Sequence, residues 1–427
     1  MTPSTYRSDR RETRGTGGKG IKGIKGAVIA GVLLLGCGGS AVIGGAPTVS
    51  ISPPHAARPA RPCALRAHRG TEMSEGFPAL RDPVYAKSTG ELRALTLFID
   101  FPDAPARESA RSRYAEFFPF VPQWYARASY GKLRYHSFPV LRYFRMPRTF
   151  DSYGIARGYG WSVHRAMMRD LAAVVGRTVD FRGYDLVNVI VTPNAGPPAT
   201  ETVLSVTWTG GTAALTQDGA HLDRVSVIYG HDQAGPRVLA HENGHILGLP
   251  DLYAFDDFRR TDRLAGQWDT MSLDWGLQGD LFAWHKWRLG WLDDAQVGCV
   301  AAPGTRVFQL APVELPGGRK AVVIPYGRTV AYVVEARRAR GNDGAACTEG
   351  VLVYRVRTDV DSGDGPVKVI DAHPATTACD FSSGSFNSLN YAPYRTGERF
   401  ADPAKGIGVD VLGRDDEGGW TIRVTRR

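Results

Sequence analysis

The chain has 427 residues, 43% of them hydrophobic and 22% charged, which excludes a disordered or low-complexity polypeptide and allows more than one packed core. The formal net charge is +9, yet residues 1–70 carry eleven lysines and arginines against Asp9 and Glu12, so the remainder sums to zero. That balance removes the electrostatic case for a nucleic-acid partner.

Taken in chain order, the early basic residues end at Lys25 and are followed by the apolar run Ala27–Leu35 and small residues up to Ala46. This is the order of a cleaved export signal over residues 1–46, with Gly44 and Ala46 before the cut. Two alternatives stay open: a lipoprotein box at Leu34-Leu-Gly-Cys37, lipidated on Cys37, and an uncleaved anchor over Ala27–Ala46. Each puts the rest of the chain outside the cytoplasm, so the expected location is secreted, with membrane contact only through this segment. Residues 47–90, with Pro53-Pro54 and Arg58-Pro-Ala-Arg-Pro62, read as a linker or short pro-segment. A domain over 91–298 follows. Its elements are a strand at Ala94–Phe101, a helix at Trp161–Val175 with apolar residues at helical spacing, and strands at Leu186–Val191 and Val225–Tyr229.

The next helix is expected from near Pro236 to Gly248, and it carries His-Glu-Asn-Gly-His at 241–245. Residues four apart share a helix face, so His241 and His245 can grip one cation, and Glu242 lies beside it as a base rather than a ligand. Gly248 can take the left-handed conformation that folds the chain back, and Pro250 stiffens the turn, which makes Asp251 the third ligand. Gly266-Gln-Trp-Asp-Thr-Met271 follows at a distance that lets Met271 lie beneath the metal, as in the Met-turn of metzincins, although a methionine is more often plain core filler.

Beyond this motif, Leu281–Leu289 reads as a helix. Past Pro303 the pattern becomes that of strands: Val307–Leu310, Ala321–Pro325, Ala331–Glu335, Val351–Val356, Val367–Ile370 and Trp420–Val424. Residues 299–427 are therefore expected to form a β-rich, sandwich-like domain. Removing the signal leaves Cys63, Cys299, Cys347 and Cys379, enough for two disulfides, with Cys299–Cys347 the preferred pair.

The string HENGHILGLPDLY with its G-x-W-D-x-M segment resembles the immune-inhibitor-A-like secreted zinc metallopeptidases. Looser likeness at Leu95–Asp103, Ser129–Leu133, Val179–Asp185, Trp284–Trp291 and Glu335–Arg337 extends it over roughly residues 91 to 360. The resemblance implies an α+β chain, with a metzincin-like catalytic domain of mixed sheet and active-site helix. It implies zinc on His241, His245 and Asp251, Glu242 as general base, Met271 as support, and protein or peptide substrates. It also allows structural calcium at Asp256, Asp257, Asp361 and Asp364, where a solvated acidic loop is the alternative. His221, His231, Tyr253 and His285 are available to stabilise an oxyanion, and none is assigned. The rival readings are a non-catalytic surface- or glycan-binding module and a zinc amidase acting on cell-wall peptide.

Overall fold

Strand β1 (Gly90–Asp100) is apolar on both faces: Leu92, Ala94 and Phe98 point one way, and Leu95, Leu97 and Ile99 the other, with the two-residue period of a strand. A strand buried on both sides needs cover on both sides. In this computed structural model the first face is covered by α1 (Ala110–Ala115), α2 (Phe120–Ala128) and a later helix, and the second by α3 (Trp161–Val175). Strands β2 (Leu133–Arg145), β3 (Leu186–Val191), β4 (Val206–Thr209) and, past the short hairpin β5 (Leu215–Gln217) and β6 (Ala220–Leu222), β7 (Arg224–Ile228) complete the sheet. Its order is β2-β1-β3-β7-β4, parallel except for the antiparallel edge strand β4. The described residues are 62–77, 84–156, 161–195, 205–210, 215–217, 220–232, 234–376, 379 and 386–427. The expected export segment 1–46, Cys37 included, and the Pro/Arg-rich stretch to residue 61 lie outside them. Among the described residues no helix is long and apolar enough to cross a membrane.

Helix α4 (Arg237–Ile246) lies against this sheet, and α5 (Ala283–Arg288) follows a long irregular stretch. The remaining strands form two sheets. One contains β8 (Val297–Cys299), β10 (Ala321–Pro325), β11 (Val330–Arg337), β12 (Gly350–Arg357) and β13 (Val367–Ile370). The other contains β9 (Gly304–Leu310), β14 (Arg399–Asp402), β15 (Ile407–Arg414) and β16 (Trp420–Arg426). Val322, Val334 and Val353 pack against Val409, Val411 and Ile422 of the second sheet, while Val323, Val333, Leu352 and Tyr354 share a core with Trp268, Met271 and Trp284. The molecule is thus mixed α+β with several sheets and few helices, and its core runs without interruption across residue 299.

One sequence expectation is corrected here. The disulfides are Cys63–Cys299 and Cys347–Cys379, not Cys299–Cys347. The reason is that residues 62–77, expected within a linker or short pro-segment, pack against the body: Cys63 and Glu75 are fully buried, and Phe77 packs on Trp284 and Trp287. Glu75 accepts from Arg288 Nη1 at 2.7 Å and lies 2.8 Å from His285 Nε2. On the other side of the ring, His285 Nδ1 is 2.8 Å from Asp269 Oδ2, at an angle poor for a hydrogen bond.

Burial opposes charge on His285, but Asp269 and Glu75 outweigh it and hold the ring's pKa up to about 9, against 6.5 for a free histidine. A folded-state pKa raised in this way stabilises the protein fully below the unfolded value and is lost as pH rises through the folded one. Urea unfolding with chelator present should therefore show stability falling between about pH 6.5 and 9. His285→Gln should flatten that part of the curve, and an unchanged slope would remove the ion triad as its cause.

Candidate metal centre

Helix α4 begins after Pro236 and stops at Leu247, because Gly248 takes φ +90° and turns the chain back. A side chain could not follow it easily, since a Cβ at Gly248 would sit 3.1 Å from the Tyr85 ring. The turn brings Asp251 under the helix, where His241, His245 and Asp251 form a buried donor group. His241 Nε2, His245 Nε2 and Asp251 Oδ1 make a triangle with every side 3.2 Å.

What surrounds each ring fixes which atoms face the triangle. His241 Nδ1 donates to Thr270 O at 2.8 Å, and His245 Nδ1 donates to Leu249 O at 2.8 Å. Each Nε2 is then a bare lone pair in the neutral ring, the arrangement found behind metal-binding histidines. Three acceptors so close repel one another unless a cation or a proton lies among them. Burial disfavours charge on His241, yet Asp251 outweighs it and raises the ring to about 10. Burial likewise opposes ionisation of Asp251, and His245 and His241 overcome it, drawing that carboxyl well below its ordinary range. A proton and a cation therefore compete for the same lone pairs, and the donor set could hold a metal ion.

Glu242 is buried beside the triangle and outside it. Its Oε2 accepts from the Thr207 hydroxyl of the edge strand β4 at 2.7 Å. Burial raises its pKa, with His241 and His245 acting in the opposite sense. Asn243, on the sheet side of the same helix, donates to Asn188 Oδ1 at 2.9 Å and Ser226 Oγ at 3.0 Å, which locks the helix to β3 and β7. Met271 is 1% exposed and packs against Gly244, between the two histidines. Its carbonyl accepts from Leu252 N at 2.8 Å, tying this turn to the residue after Asp251.

Several contributors carry no sequence motif. Thr207 and Ser362 are of this kind, and they come from a strand and a loop that only the fold brings near. Asp274 is another: burial lifts its carboxyl to about 7, with His241 acting in the opposite sense, and Asp232 and Glu242 add repulsion. Of the candidate oxyanion partners, His285 is locked in the buried ion triad and His231 lies with Glu116 and Arg113. His221 falls outside the residues whose side chains are described. Tyr253 does reach the centre, its ring centroid 6.1 Å from that of His241, and burial raises its hydroxyl pKa, with the Asp251 and Glu242 charges acting in the same sense. Among the described residues Asp256, Asp257, Asp361 and Asp364 form no three-donor group; Asp256 pairs with Arg260 and Asp257 accepts from Arg259 N. Glu108, Glu116 and His231 do cluster, with the Arg113 guanidinium among them as the counter-charge. No family model matches the chain, and no curated protein matches it.

The closeness of Gly244 and Met271 is directly testable, because a Cβ at Gly244 would lie 2.5 Å from Met271 Sδ. Gly244→Ala should lower unfolding stability by about 1–3 kcal/mol, as overpacking does. Adding Met271→Ala should return part of the loss. A neutral Gly244→Ala in denaturant titration would mean that the sulfur does not pack there.

Proposed function

We propose that the protein is a secreted zinc-dependent endopeptidase, of the immune-inhibitor-A-like kind its motif resembles and with a metzincin-like catalytic body. The observation that carries this reading is the equilateral triangle of His241 Nε2, His245 Nε2 and Asp251 Oδ1, with both Nδ1 atoms tied to carbonyls and the buried Glu242 carboxylate beside it, outside the donor group. A tetrahedral zinc with bonds of ~2.0–2.2 Å spaces its ligands about 3.3–3.6 Å apart, close to the sides of this triangle, and three protein ligands are the catalytic rather than the structural pattern. The two disulfides agree with an oxidising location outside the cytoplasm.

Zinc held there supplies Lewis acidity, polarising the scissile carbonyl and lowering the pKa of water toward about 7. Glu242 takes the proton of the attacking water and passes it to the departing amine, a task for which a carboxyl pKa raised by burial is the right direction. Thr207 holds that carboxylate in position through its hydroxyl. The Thr270 and Leu249 carbonyls keep both imidazoles in the ligating tautomer, and Ser362 orients Asp251.

Purified protein should contain zinc and cleave casein, and a chelator should stop the cleavage. Glu242→Gln should retain zinc and lose about 10²–10⁴-fold in rate, the usual contribution of general acid–base catalysis. Cleavage indifferent to chelator would sink the proposal. Release of peptide from peptidoglycan alone would favour the amidase, and binding to a surface without cleavage would favour the binding module.

A further inference from the structure

We infer that Ser362 and Asp361, together with residues 72–75, brace the third metal ligand, so that Ser362 and Asp361 are positioning residues for the metal centre. This rests on the zinc reading above. Asp251 follows a helix and a Gly-Leu-Pro turn, where neither a helical nor a sheet ladder can fix its backbone. Its N–H donates to Ser362 Oγ at 2.8 Å, its carbonyl accepts from Gly363 N at 3.1 Å, and the Ser362 hydroxyl lies 3.4 Å from Oδ2. Both main-chain groups and the oxygen outside the triangle are thus held by two consecutive residues from far along the chain.

That loop is held in turn by the N-terminal segment. Glu72 N donates to Asp361 Oδ1 at 2.9 Å, Ser362 N donates to Glu72 O at 3.1 Å, and the Ser74 hydroxyl donates to Thr358 O. The segment is itself fastened by Glu75 to Arg288 and by the Cys63–Cys299 disulfide. Arg288 Nη2 completes the circuit by donating to Ser74 O at 2.8 Å and Gly248 O at 3.2 Å, at the start of the turn that leads to Asp251. The turn that carries Asp251 is therefore tied at Gly248 by Arg288 and at Asp251 by Ser362 and Gly363. Residues 62–77 are thus packed against the loop that carries Ser362.

The test uses the full chain, with zinc affinity read by competition against a chromophoric chelator and folding read by the melting temperature of the metal-free protein. Ser362→Ala should weaken zinc binding about 10–100-fold, the usual cost of losing an outer partner of a ligand. Its metal-free melting temperature should stay close to that of the parent. Ser362→Thr, which keeps the hydroxyl, should restore affinity. Asp361→Ala should weaken zinc less, and should add nothing in the Ser362→Ala background, because it acts through Ser362. Parent-like affinity in Ser362→Ala, or additive losses in the double variant, would overturn the brace while leaving the zinc site standing. A parent protein that binds no zinc would overturn both.

Discussion

Two carbonyl oxygens decide the chemistry of this centre. The Thr270 and Leu249 carbonyls each accept from an Nδ1, so both imidazoles are compelled to present Nε2 inward. Rotate either ring or shift either carbonyl and the triangle of acceptors dissolves into ordinary hydrogen bonding. The rest of the structure can be read as the means of keeping those two carbonyls and the Asp251 carboxylate still. One carbonyl belongs to the turn that ends α4, and the other to an irregular loop with no ladder of its own.

The helix and its motif were legible in the sequence because their physics is local: a four-residue spacing, a glycine at the helix end, a proline after it. Strands β11 and β12 are legible too, since Ala331-Tyr-Val-Val334 and Val351-Leu-Val-Tyr354 are buried on both faces and read as continuous apolar runs. What the sequence did not reveal is non-local. Nothing in Ser362 marks it as a partner of Asp251, more than a hundred residues away. Thr207 lies on a four-residue edge strand whose burial pattern gives no alternation to detect. Strand β2 was missed because its partly exposed middle, with Pro139, breaks the apolar run.

Residues 62–77 show why composition can mislead. Proline- and arginine-rich sequence upstream suggests a spacer, and the charged residues continue to Glu75. Yet that glutamate is buried because a cation, Arg288, and an imidazole, His285, are buried with it. Only the fold supplies both counter-charges, and once the segment is placed, Cys63 falls beside Cys299 and the disulfide pairing follows.

The buried charges around residues 266–283 follow from the same constraint. This stretch carries Thr270 and Met271, is largely buried, and has almost no regular structure, so its N–H groups need acceptors that no strand or helix provides. Carboxylates fill the need: Asp269 accepts from Met271 N and Phe282 N, Asp343 from Gly279 N and Asp280 N, and Glu335 from Ala283 N. Carboxylates without partners would be costly there. Arg337 lies among Glu314, Glu335 and Asp343, Lys286 meets Asp280, and His285 meets Asp269. As a buried ion pair contributes little to stability compared with apolar packing, the network is better understood through what it holds. It fixes an irregular loop in a single conformation, and with it the Thr270 carbonyl on which the tautomer of His241 depends.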